Sequence, residues 1–80
     1  MWIKSIEGDF INMDNITCLH ITTCYHDYRF SNRCVVYADS AAGDYPLWAE
    51  EIKSNNERDI IDIVRRAEMF ADALVNQLNG

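Results

Sequence analysis

The pattern of apolar and polar positions divides the chain near residue 55. Downstream, Ile60, Ile63, Val64, Ala67, Phe70, Ala71, Leu74 and Leu78 recur at steps of three and four, which predicts an amphipathic helix over about 57–78. Projected at about 100° per residue, these side chains share one stripe, while Asp62, Arg65, Arg66, Asp72, Asn76 and Gln77 take the opposite side. A helix of this length spans about 30 Å, enough to cross four or five strands, and it cannot bury its own stripe. The residues before it must supply the surface on which it lies.

Upstream the spacing changes to two, or to uninterrupted apolar runs. Residues 2–6 favour a strand, Glu7-Gly8-Asp9 a turn, and 10–14 a return strand that stops at Asp14-Asn15. The third strand, 16–25, alternates clearly, with Leu19 and Ile21 on one face and Cys18, His20, Thr22 and Cys24 on the other. Between 26 and 33, turns at Asp27-Tyr28 and at Ser31-Asn32 are both compatible with the residues. The strand 33–39 contains Cys34-Val35-Val36-Tyr37-Ala38, apolar at both parities, and so predicts a central strand covered on both faces. Ala42-Gly43-Asp44 turns the chain into a fifth strand, 45–51, which Pro46 assigns to a sheet edge. Ser54-Asn55-Asn56 supplies helix caps, and Glu57 and Asp59 suit the first helical turn. The expected fold is α+β in one domain, 1–80: an antiparallel five-stranded meander, flat or strongly curved, with one long C-terminal helix on one face.

The hexapeptide Ile11-Asn12-Met13-Asp14-Asn15-Ile16 is a strand-turn-strand following a short opening strand. With the later hairpin and the C-terminal helix, it resembles a class of small bacterial and phage proteins of uncharacterised function. The resemblance covers most of the chain in element order. It implies a meander-plus-helix fold and a cytoplasmic, mobile-element setting, and it carries over no catalytic residues.

Composition narrows the partners. With 80 residues the core is thin, and domains of this size often gain stability from metals, disulfides or partner chains. A net charge of -6 repels phosphate, which argues against nucleic acid and anionic membranes. Lys4, Arg29, Arg33 and Lys53 are too dispersed to form a basic stripe. Three cysteines, an odd number without a signal-peptide pattern, fit a reduced cytoplasmic protein.

The densest set of chemically capable residues is Cys18, His20, Cys24 and His26, with Cys34 on the next strand. These are metal-ligand types on one face of a regular strand. Yet Cys18 and His26 would lie roughly 26 Å apart along it, whereas ligands of one zinc sit within about 4 Å of each other. Cys18 and His20 with a cross-strand Cys34, or Cys24 with His26, could form only partial sites, and core packing is the default for cysteine. The expectation is therefore no resident metal or cofactor. Cys24 and His26, about 7 Å apart on a strand, are too distant for a nucleophile and its base, and the three scattered glycines form no phosphate loop. Asp39, Asp44, Glu50 and Glu51 read as solvated edge charges rather than a cation site.

The expected function is a small non-catalytic interaction or regulatory module, with a second copy of the chain or another protein as partner. One helix covers one sheet face, and Trp2, Phe10, Tyr25, Tyr28, Phe30, Tyr37, Tyr45 and Trp48 exceed what a thin two-layer core encloses. A homodimer covers the second face more simply than a sheet curled into a partial barrel, with Tyr37 and Trp48 as contacts. The alternative is a metal- or thiol-dependent site protein using Cys18, His20, Cys24 and Cys34.

Overall fold

A computed structural model describes residues 1–24, 32–54 and 56–79. In order these form β1 (Trp2–Lys4), β2 (Phe10–Asn12), a 3-10 turn (Met13–Asn15), β3 (Cys18–Cys24), β4 (Arg33–Ser40), β5 (Gly43–Glu51) and α1 (Glu57–Asn79). The class is α+β with antiparallel pairing. The strands, however, make two sheets, β1-β2 and β3-β4-β5, and not the single five-stranded meander that the pattern predicts.

The break lies in the residues expected to join the second and third strands. Asp14 N donates to Asn12 Oδ1 at 3.1 Å, and Ile16 N donates to Met13 O at 3.3 Å. These bonds wind Met13–Asn15 into a helical turn, so β2 stops at Asn12 and β3 starts only at Cys18. A bond of 2.9 Å from Ile6 N to Pro46 O links the two sheets. It uses the outward carbonyl of β5, which stands at the edge of its sheet as Pro46 requires.

Two features of the β4-β5 hairpin decide which side chains meet. Its tip is tighter than expected: Ser40 pairs with Gly43, and Gly43 takes φ +138, a conformation that L side chains rarely adopt. Further along, Val36 pairs with Trp48 but Tyr37 with Pro46, leaving Leu47 as the extra residue of a bulge. The bulge switches parity in β5. Leu47 and Trp48, adjacent in sequence, both pack into the core, while Asp44 and Pro46 share the opposite face with Asp39 and Tyr37.

Asn56 caps the helix, its Oδ1 accepting from Arg58 N at 2.9 Å. The apolar stripe then advances along β4 instead of crossing every strand. Ile63 and Ala67 pack with Cys34, Val36 and Ile52, whereas Leu74 packs with Ala38, Ile11 and Met13. Phe70 touches both groups and stacks on Trp48 with ring centroids 6.4 Å apart. Leu78, expected in the stripe, is 37% exposed, because the final turn extends beyond the residues packed under Leu74. Residues Cys34 to Ala38 are buried at both parities, in accord with a central strand covered on both faces.

Candidate functional site

Two surfaces stand out, one polar and one apolar. The polar one lies on the sheet face away from the helix. Cys18 of β3, Asp39 of β4 and Asp44 of β5 sit directly opposite one another across three strands, because Cys18 pairs with Asp39 and Asp39 with Asp44. His20, two residues beyond Cys18, shares their face and stacks on Tyr37 at 5.1 Å. Cys18 Sγ donates to Asp39 Oδ2 at 3.1 Å, and His20 Nδ1 bonds the same oxygen at 2.7 Å. A carboxylate cannot donate, so the ring proton of that bond is on Nδ1. A ring nitrogen of His20 and one carboxylate oxygen each from Asp39 and Asp44 lie within 4.8 Å of one another. Asp39 Oδ1 is buried and has no hydrogen-bond partner among the described residues.

These contacts fix the acid-base character of the group. Burial pushes the Asp39 carboxyl up, but hydrogen bonding with Cys18, Asp44 and His20 outweighs it and leaves the carboxyl below its ordinary range. The same carboxylate, as hydrogen-bond acceptor, holds the Cys18 thiol above its ordinary value, assisted by desolvation and by its charge. Cys18 is thus a protonated thiol at neutral pH and a poor nucleophile.

The sequence-expected site residues are dispersed differently from the one-strand picture. Cys18 and His20 do come together, but Cys34 is on the other face, fully buried with Val36, Ile63 and Ala67. Burial, followed by the charge of Glu50, pushes the Cys34 thiol up. His26 lies outside the described residues, as does the side chain of Cys24. Of the four acidic residues, Asp39 and Asp44 join the cluster, while Glu50 is at the far end of the sheet and pairs with Arg66. That bidentate pair, at 2.5 and 2.9 Å, replaces the pairing of Arg66 with Asp62 that helix spacing alone suggests. Asp39 and Asp44 are 5 residues apart and on opposite sides of a tight turn. Only the register of that hairpin shows that they face each other.

The apolar surface is on the outer face of the β1-β2 pair. Trp2 and Phe10 are 67% and 73% exposed, and the register places them diagonally across the two strands. Lys4 Nζ lies over the Phe10 ring, 5.9 Å from its centroid. Both aromatics border a groove of about 480 Å³ that continues past Ile16 and Tyr45 to the β4-β5 hairpin tip at Ala41 and Ala42. Tyr37 and Trp48, the contacts expected for a partner, are elsewhere and on opposite faces of the three-stranded sheet. Tyr37 is only 4% exposed, and Trp48 is half-buried against Phe70.

No protein-family model matches this chain, and comparison with curated proteins and with solved structures finds no match either. No helix among the described residues is long and apolar enough to cross a membrane. The functional reading therefore rests on the two surfaces themselves.

Proposed function

We propose that the protein is a small non-catalytic interaction module that works as a homodimer in a reducing, cytoplasmic setting. The observation that carries the reading is the exposed Trp2–Phe10 pair on the β1-β2 face. Two aromatics left in water beside an apolar groove exceed the scattered hydrophobes that a monomer normally shows, and such patches mark association surfaces. A second copy is the favoured occupant, because a two-fold axis lets the same patch cover itself. Its Trp2 and Phe10 would meet the groove walls formed by Ile16, Tyr45 and the hairpin tip, with Lys4 at the rim. The net charge of -6 supports an apolar contact over an anionic ligand, since phosphate-rich partners would be repelled.

The non-catalytic part is supported by the state of Cys18. A thiol hydrogen-bonded to a carboxylate is held in its unreactive form, the reverse of what a nucleophilic cysteine needs. The reducing setting is supported by Cys18 and Cys34, both free and on opposite faces of the sheet.

Hydrogen exchange on the full chain at high and low concentration tests the reading. Amides of residues 2–12 and 40–45 should gain protection as concentration rises, while those of the exposed helix face stay unchanged. Protection independent of concentration everywhere would overturn it.

A further inference from the structure

We propose that Cys18, His20, Asp39 and Asp44 form a binding site for one divalent transition ion of the zinc type. Pairing in β3-β4-β5 sets Cys18, Asp39 and Asp44 in a row across three strands, with His20 beside them on the same face. Three of the donor atoms already lie within 4.8 Å of one another, and Cys18 Sγ is 3.1 Å from Asp39 Oδ2. Zinc holds its ligands at about 2.0–2.3 Å, so the His20, Asp39 and Asp44 donors need to move inward by about 1 Å, and Cys18 Sγ has to turn from Asp39 Oδ2 toward the same point.

A further observation points to a cation. Asp39 Oδ1 is buried without a hydrogen-bond partner among the described residues, although a buried carboxylate oxygen is costly to leave unpaired. The donor set selects the ion. Calcium and magnesium take oxygen ligands almost exclusively, whereas one thiol, one imidazole and two carboxylates suit zinc or cobalt.

On binding, the Cys18 S–H bond breaks, its proton leaves to solvent, and the sulfur bonds the metal as thiolate. The neutral His20 ring binds through Nδ1 after its proton shifts from Nδ1 to Nε2 by way of solvent, so the ring neither gains nor loses a proton. No electron moves. The ligands beyond Cys18 and His20 come from the neighbouring strands β4 and β5.

Calorimetric titration of the chelator-treated full chain with zinc, paired with the absorption spectrum of its cobalt complex, tests the assignment. One ion per chain is expected, with thiolate-to-cobalt charge-transfer absorption in the near ultraviolet. Asp39→Asn and His20→Ala should each weaken binding by at least about tenfold, and Cys18→Ser should abolish the charge-transfer band. Asp44→Asn, an isosteric change at an exposed position near the hairpin tip, should weaken binding too, with its thermal melt recorded alongside. A Cys24→Ser/His26→Ala variant should bind as the unaltered chain does. No heat of binding with zinc, binding untouched by Asp39→Asn, His20→Ala and Asp44→Asn, or binding lost only in the Cys24→Ser/His26→Ala variant would overturn the site.

Discussion

Replacing Leu74 by aspartate tests how the helix is held on the sheet. Leu74 is 4% exposed and packs with Ala38, Ile11 and Met13, so Leu74→Asp removes an apolar group and inserts an ionisable one. Losing the leucine side chain costs about 3 kcal/mol in transfer and cavity terms. An aspartate that ionises near pH 3.9 when unfolded must be neutralised to remain buried at pH 7, which costs about 4 kcal/mol at 1.36 kcal/mol per pH unit. The neutral carboxyl still lacks a hydrogen-bond partner, a further cost of about 1–3 kcal/mol. Together these reach the whole stability expected of an 80-residue domain, about 4–12 kcal/mol. Leu74→Asp should thus show no cooperative melt by circular dichroism at pH 7, whereas Leu74→Ala should melt about 12–24 °C below the unaltered chain. The sign of the pH effect is distinctive. The buried carboxyl would have a raised folded-state pKa, so the penalty relative to Leu74→Ala should shrink as pH falls toward 4. A Leu74→Asp protein melting within a few degrees of the unaltered chain, or one whose deficit ignores pH, would refute this packing of the helix.

Other expectations follow from single contacts. Gly43→Ala should cost about 1–3 kcal/mol through backbone strain at φ +138, not through collision, since nothing lies within 4 Å of an added Cβ; urea unfolding measures it. Hydrogen bonding with Arg66 holds the Glu50 carboxyl below its ordinary value of 4.5, so the stability it adds is present above that pH and lost as pH falls through the lower folded-state value. Acid titrations of the unaltered chain and Glu50→Gln should therefore differ slightly near neutrality, less so in high salt, and converge in strong acid. In metal-free protein, Cys18 should alkylate slowly at pH 7 and faster in Asp39→Asn, while Cys34 should react only after denaturation; peptide mapping distinguishes them.

The parts of the fold legible in the sequence are those in which one periodicity has one solution. The helix is such a case, because a stripe running from Ile60 to Leu74 with Asn56 ahead of it has no other way to be buried. The central strand is another, since Cys34 to Ala38 is apolar at both parities. The division into two sheets was not legible, because Asn12 bonding to Asp14 decides between a tight helical turn and a strand link of the same composition. The bulge at Leu47 was equally hidden. Period-two reasoning puts Leu47 and Trp48 on opposite faces, yet one unpaired residue brings both into the core. The polar cluster depends on that register as well. Cys18 and His20 were visible as neighbours, but Asp39 and Asp44 join them only once β3, β4 and β5 are aligned.

The proposal of a homodimer built on the β1-β2 face is tested most directly by sedimentation equilibrium of the unaltered chain beside Phe10→Glu. Phe10 is 73% exposed, so its replacement should leave the thermal melt of the single chain intact. The unaltered chain should approach twice its 9.3 kDa at high micromolar concentration, and Phe10→Glu should remain at 9.3 kDa. A single-chain mass for the unaltered protein across the whole series, or a dimer indifferent to Phe10→Glu, would contradict the proposal.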